Sequence, residues 1–423
     1  MKVLWLTNVQ THRVNEIISK EKKDFFGGGW LDGLSDKLLE HTEFNLHLLF
    51  PLYTSDKPMT GSEDNFSFYG FPANGKKLRL GSDNIKDYIQ FFTSIIEKLN
   101  PDVIHIHGSE FQYCYAMCVA AEKCNLLDKV VISIQGLVSV YAEHMYANIP
   151  NLVIYKYTIK ELLTKNNVYS TYKAYKKRGR FEIKSLEMVS HVMGRTEWDK
   201  ACTKLINPEC IYHFGNETLR KNFYSGEWQY ENSKKHSIFA SQGVLPLKGI
   251  HILIRAIALL KEKYPNISLR VAGQDITKGN LINGSTYGIY IRRLINKYEL
   301  QNNVTFIGPQ NAEQMKNELL NSNVFVSPSA IENSPNSLGE AMLLGVPCIS
   351  SDVGGVTDML NHKKEGFVYP FDAYYMLAHY IDEVFSMGKE VKSITEAAKA
   401  HAMKTHNPDA NAENVMMMYS LLK

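Results

Sequence analysis

The stretch SPSAIENSPNSLGEAMLLGVPCISSDVGG, residues 327–355, decides the reading of the whole chain. The apolar run Val324-Phe325-Val326 just before it has strand character and stops at Ser327-Pro328. A polar loop carrying Glu332 follows. A helix starts near Pro335 or Asn336, carries Glu340 in its N-terminal half and stops at Gly345. Val346-Pro347-Cys348-Ile349-Ser350 then makes a second strand, closed by Gly354-Gly355. In a parallel α/β sheet, ligands sit at the carboxyl ends of such strands, beside the helix N-termini. The first-turn amides at Asn336, Ser337 and Leu338 suit a phosphate or a sugar hydroxyl. Ionised glutamates accept hydrogen bonds from a polyhydroxylated ligand. Taken singly, Glu332 reads as a loop surface residue and Glu340 as a favourable early-helix acid; only the whole stretch changes that reading.

Outward from this stretch, the chain of 423 residues is long for one domain and comfortable for two. An apolar fraction of 44% with 22% charged residues is ordinary for a globular protein. The net charge of +3 gives no general case for nucleic acid. The cysteines at 114, 118, 124, 202, 210 and 348 lack metal-ligand spacing and read as reduced core residues of a cytoplasmic protein. Met1 to Leu6 runs straight into a strand, without the pattern of a secretory signal. No run approaches the roughly 20 apolar residues of a membrane span.

Apolar strands at 3–6, 44–50, 103–106, 130–134, 189–193 and 210–213 alternate with helical patterns such as 31–40, 85–99 and 110–124. That alternation predicts a largely parallel, doubly wound sheet. Its strand ends bring together His107, Gln135 and Arg195, and Gly27-Gly28-Gly29 opens a helix whose amides can approach an anion. Residues 151–180 carry Lys156, Lys160, Lys165, Lys173, Lys176, Lys177, Arg178 and Arg180 against Glu161 alone, interleaved with tyrosines. This is either a solvated helical pair or a surface for anionic lipid headgroups or a polyanionic acceptor. Ser225–Lys235 reads as a linker, after which the alternation restarts at 237–240, 267–272 and 304–307. Tail helices are expected at 374–387 and 394–423, the second broken at Asn407-Pro408.

Glu332 and Glu340 with seven residues between them, then Ala341-Met342, Gly345, Pro347 and Gly354-Gly355, resemble the signature of family 4 (group 1) retaining glycosyltransferases. The resemblance is dense over 237–371 and thinner before. It implies the α/β GT-B fold: two Rossmann-like doubly wound parallel-sheet domains facing an interdomain cleft, with a C-terminal helix crossing back to the first. The expected division is an acceptor domain at 1–230, a nucleotide-sugar domain at 231–400 and the crossing helix at 401–423. Residues 242–249 resemble the family's Gly-Arg-x-x-x-x-Lys-Gly element, with Lys248 matching and Gly243 in the arginine's place. By resemblance, Lys248 neutralises the donor diphosphate, Glu332 contacts sugar hydroxyls and Glu340 the ribose. Gly308 lies at the base, and Gly273 leaves room for the donor.

Gln135 stands where many members have a histidine, which leaves His107, His144 or the leaving phosphate itself as the alternative proton acceptor. The implied activity is metal-independent, retaining hexosyl transfer from an NDP-sugar co-substrate, with no cofactor, onto a glycan or lipid-linked acceptor. The product would be a surface polysaccharide or glycolipid, made in the cytoplasm or at the inner membrane face through 151–180. A non-catalytic nucleotide-sugar or glycan-binding protein and a GT-B epimerase or phosphorylase stay open.

Overall fold

Strand β1, Lys2–Leu6, has two apolar faces: Val3 and Trp5 enter one buried cluster, Leu4 and Leu6 another. A strand whose alternate residues are all apolar must be covered on both sides, which is the condition for a doubly wound sheet. In the computed structural model, which describes residues 1–19, 29–53, 55–73 and 85–423, that is what forms. The chain divides into one unit of Met1–Ala142, Ala174–Arg220 and His406–Lys423, and a second of Glu143–Lys173 and Lys221–Thr405.

In the first unit β1 is joined by β2 (Asn45–Leu52), β3 (Met59–Glu63), β4 (Phe66–Pro72), β5 (Val103–His107), β6 (Val130–Ser133), β7 (His191–Gly194) and β8 (Ile211–Phe214). The order is β3-β4-β2-β1-β5-β6-β7-β8, parallel throughout except for the antiparallel β3–β4 pair. The order reverses between β1 and β5, so the loops after these two strands part there. The sequence reading missed the β3–β4 hairpin, because β3 (MTGSE) is almost wholly exposed and shows no apolar alternation. The helix His12–Ser19 is a further element, absent from the pattern of strands and helices given above. The helix Pro408–Leu422 belongs to this unit. Asn407 caps it by accepting from Ala410 N at 3.0 Å, with proline at the first helical position, so the break falls where expected. Its Tyr419 hydroxyl accepts from Trp5 Nε1 at 2.8 Å and meets His105 Nδ1 at 2.6 Å, tying the chain end into the sheet.

The second unit holds β9 (Lys234–Ala240), β10 (Ser268–Val271), β11 (Val304–Phe306), β12 (Ser322–Ser327), β13 (Cys348–Ser351) and β14 (Phe367–Tyr369). All are parallel, in the order β11-β10-β9-β12-β13-β14, with the reversal between β9 and β12. Two stretches group differently from the sequence expectation. The polar run 225–235 is part of this unit, because buried Trp228 donates Nε1 to Ser322 O at 2.7 Å and its amide to Leu344 O at 2.8 Å. Residues 143–173 join it too: Thr158 Oγ1 donates to Gly284 O at 2.9 Å and His251 Nε2 meets Ala147 O at 2.7 Å. Among the described residues no helix is long and apolar enough to cross a membrane.

Candidate functional site

The reversal between β9 and β12 is where the second unit gathers its chemistry. After β9 a short 3₁₀ turn, Pro246–Lys248, ends at Gly249, whose φ of 64° is left-handed. A Cβ on Gly249 would lie 1.6 Å from Pro328 O, so only glycine lets this turn press against the end of β12. Ala330 N donates to Leu247 O at 2.7 Å and fixes the contact. Across it, Lys248 Nζ reaches Glu332 Oε1 at 2.5 Å, and Ser329 Oγ donates to the same oxygen at 2.7 Å. The Glu332 main chain is held from behind: Gly355 N donates to its carbonyl at 3.1 Å, and a Cβ on Gly354 (φ 54°) would meet that carbonyl at 1.9 Å. The glycine pair that closes the quoted stretch is thus a backstop for the loop acid.

Around this pair the surroundings differ in openness. Gly273 and Gly308 face each other in an isolated bridge, Gly273 N donating to Gly308 O at 2.9 Å. A Cβ on Gly308 would meet nothing within 4 Å, and one on Gly273 only Val244 Cγ2 at 3.8 Å. These two positions therefore border free space that a ligand can occupy. Gly243 is the opposite case: a Cβ there would sit 3.1 Å from Val271 and 3.2 Å from Ile250, so the position of the missing arginine is packed shut. Ser337 Oγ accepts from Ser241 Oγ at 3.1 Å, and Asn336 is half-buried at the helix start. Leu338 is a core residue whose amide is already bonded to Pro335 O, so it offers a ligand nothing of its own. Glu340 is buried within the helix Asn336–Leu343. Lys248 and Glu332 meet directly, while Ser337, Gly273 and Gly308 follow the carboxyl ends of strands of the same sheet, Ser337 paired with Ser241 and Gly273 with Gly308; neither Ser241 nor Ser329 stands out in the sequence, though Ser329 lies inside the quoted stretch.

His107, Gln135, Arg195 and Gly29 lie in the first unit, and Gly27 and Gly28 lie outside the described residues. Gly29 opens the helix Gly29–Leu39, and a Cβ there would lie 2.5 Å from Arg220 Cγ, so the Arg220 side chain packs directly over it. His107, Gln135 and Arg195 line a small cavity of about 30 Å³ with Trp30, His105 and Glu217. Arg195 Nη1 donates to Ile134 O at 3.1 Å and lies 3.0 Å from Glu217 Oε1, so its charge is matched inside its own unit. Gln135 Oε1 is 3.5 Å from Nη2. Glu217 and Glu110 escaped the sequence reading because an isolated glutamate in a loop carries no pattern. Burial pushes the Glu110 carboxyl up to about 7, and among the described residues its Oε2 has no hydrogen-bond partner.

His107 stacks on His105 with ring centroids 3.8 Å apart. Burial pushes His105 down to about 3, and burial together with the His105 charge pushes His107 well below its ordinary value. At neutral pH both rings are uncharged, and the burial that keeps His107 neutral makes it a weak proton acceptor as well as no imidazolium acid. The unfolded chain takes up these protons near pH 6.5 and the folded one only far lower, so the histidine contribution to stability is full above pH 6.5 and is lost progressively as pH falls from there to the folded values. Glu110, raised rather than lowered, contributes the opposite slope. Ring-proton NMR of His105 is expected to stay at neutral-form shifts from pH 8 down to about pH 5; a midpoint near 6.5 would contradict the burial described.

Residues 227–401 match the family model described as glycosyl transferases group 1. An uncharacterized glycosyltransferase of Methanocaldococcus jannaschii is 34% identical over 168 residues, 38% of this chain and 36% of that protein. The chain spans about half the length, or less, of the curated relatives it matches. Among solved structures, sucrose-phosphate synthase from Thermosynechococcus elongatus superposes with a TM-score of 0.74 at 15% identity, covering 100% of this chain and 99% of that one. Anabaena HepE in complex with UDP-glucose gives 0.65 at 14% identity, over 99% of this chain and 100% of that one. These likenesses show a shared fold, the GT-B fold expected from the sequence.

Proposed function

We propose, from the premise that residues 227–401 form a group 1 glycosyltransferase domain, that the protein is a retaining, metal-independent glycosyltransferase of the family 4 type. It moves a hexose from an NDP-sugar to a glycan or lipid-linked acceptor in the cytoplasm, building a surface polysaccharide or glycolipid. The observation that carries this reading is the Lys248–Glu332 pair at 2.5 Å, on loops of the same sheet whose other strand ends carry the open positions Gly273 and Gly308. When the bond from the anomeric carbon to the diphosphate oxygen breaks, negative charge collects on the departing group, and a fixed ammonium there lowers the barrier. Glu332, released from Lys248 by the incoming diphosphate, accepts hydrogen bonds from sugar hydroxyls. Glu340 serves the ribose, and the main chain at Gly308 serves the base. The acceptor oxygen attacks on the face the diphosphate leaves, and its proton departs on the diphosphate, so no side-chain base is required.

HepE is solved with UDP-glucose, which makes UDP-sugars the first donors to try. The chain has no Asp-x-Asp sequence to hold a metal on the diphosphate. Incubation with UDP-sugars is expected to release UDP at a rate unchanged by EDTA. Donor binding with no release from any NDP-sugar would favour a non-catalytic binding protein, a reading that Gly243 and Gln135 keep alive. Release abolished by EDTA and restored by a divalent ion would overturn metal independence.

A further inference from the structure

The segment 143–173 adds to the second unit a platform that the donor chemistry leaves unused. Its two short helices, Asn151–Tyr155 and Ile159–Thr164, are fastened by buried Ile154 and by inward-facing polar groups. Thr158 and Glu161 form a capping box, and Glu161 Oε1 also accepts from Thr286 N at 3.0 Å. Asn167 Nδ2 donates to Ile154 O and Lys156 O, both at 3.1 Å. Ile159 N and Lys160 N donate to Leu281 O and Ile282 O, each at 2.9 Å, which docks the 281–282 turn alongside. With the polar groups spent inward, the aliphatic ones are left outside: Leu152, Ile159, Leu162, Leu163, Leu281 and Ile282 are between 53% and 78% exposed. Scattered exposed leucines are ordinary, but six large exposed aliphatics on two short helices and the turn hydrogen-bonded to one of them are not.

The charges around these side chains have one sign. Lys156, Lys160 and Lys165 are exposed, and over residues 150–170 and 276–286 the only acid is Glu161, which is buried. A second copy of the chain would oppose lysine to lysine across such a face. A bilayer with anionic headgroups satisfies both features, taking the aliphatics at the acyl boundary and the ammonium groups at the phosphates. The basic stretch first read as one surface is split: Lys176, Lys177, Arg178 and Arg180 belong to the first unit, where Arg178 lies over the Tyr175 ring at 4.4 Å.

We propose that the Leu152–Lys165 platform with the Leu281–Ile282 turn is a surface that docks on anionic membranes. This is independent of the donor reading and is tested without any sugar nucleotide. The full chain is floated with vesicles of about three parts phosphatidylcholine to one of phosphatidylglycerol, and with phosphatidylcholine alone; each lysine near the surface should give about fivefold in favour of the anionic vesicles. Leu162→Ser/Leu163→Ser should weaken binding about 100-fold or more, at about tenfold per aliphatic side chain. Ile282→Ser, on the separate turn, should weaken it about tenfold with an unchanged melting midpoint. Lys160→Gln/Lys165→Gln should lose about 25-fold and flatten the salt dependence. Wild-type binding that is absent, indifferent to headgroup charge, or equal in the leucine variant overturns the proposal. So does a dimer that the leucine variant abolishes while vesicles go unbound, which would give the surface to a second copy.

Discussion

Replacing Lys248 with alanine is expected to lower turnover about 10²–10³-fold, the range seen when a group that stabilises developing charge is removed. Donor binding should weaken much less, because the ammonium acts most strongly when the diphosphate departs. The variant should fold with some loss of stability: the Lys248–Glu332 pair is only 21% and 11% exposed at its two side chains, so removing the lysine leaves a largely buried carboxylate without its cation. Ser329 still donates to Glu332 once the lysine has gone. Steady-state UDP release with UDP titrated as a competitive ligand separates the two effects. A rate within a factor of about three of wild type would remove Lys248 from the chemistry.

The second large effect is expected at Gly249. An alanine there must keep a φ of 64°, at a cost of about 1–2 kcal/mol, with its Cβ 1.6 Å from Pro328 O. Relieving that overlap means moving the Pro246–Lys248 turn off β12 and breaking the Ala330–Leu247 bond, a further cost of about 1–3 kcal/mol. Gly249→Ala should therefore lose about 3 kcal/mol in urea titration and, where still folded, lose turnover because Lys248 no longer meets Glu332. Gly308→Ala is the control. Its φ of 78° carries the same backbone strain of about 1–2 kcal/mol, but its added carbon meets nothing within 4 Å, so it should lose less stability than Gly249→Ala while donor affinity falls. Equal stability of Gly249→Ala and wild type would contradict the contact that sets the site.

How far the sequence was legible follows from what each feature depends on. β1 and β12 were readable because continuous apolar runs have one physical solution, burial on both faces. The break at Asn407-Pro408 was readable because a cap and a proline act locally. β3 was not, since an edge strand with exposed residues is held by its partner β4 rather than by its own pattern. The grouping of 143–173 with the second unit was hidden for a similar reason: it rests on hydrogen bonds from Thr158 and Glu161 to residues more than a hundred positions away. At the site, the quoted stretch located Glu332 and the glycines, but spacing carried no sign of Glu110 or Glu217. Nor could it foresee that Arg195 is matched by Glu217 within its own unit, or that the space at Gly243 is filled.

The central claim is that the second unit grips an activated sugar with one lysine and a loop acid. A crystal structure of the chain with a bound UDP-sugar tests it most directly. The account predicts Lys248 Nζ on the diphosphate and Glu332 on a sugar hydroxyl, with their mutual contact opened from 2.5 Å. A nucleotide bound elsewhere, with that contact intact, would contradict it.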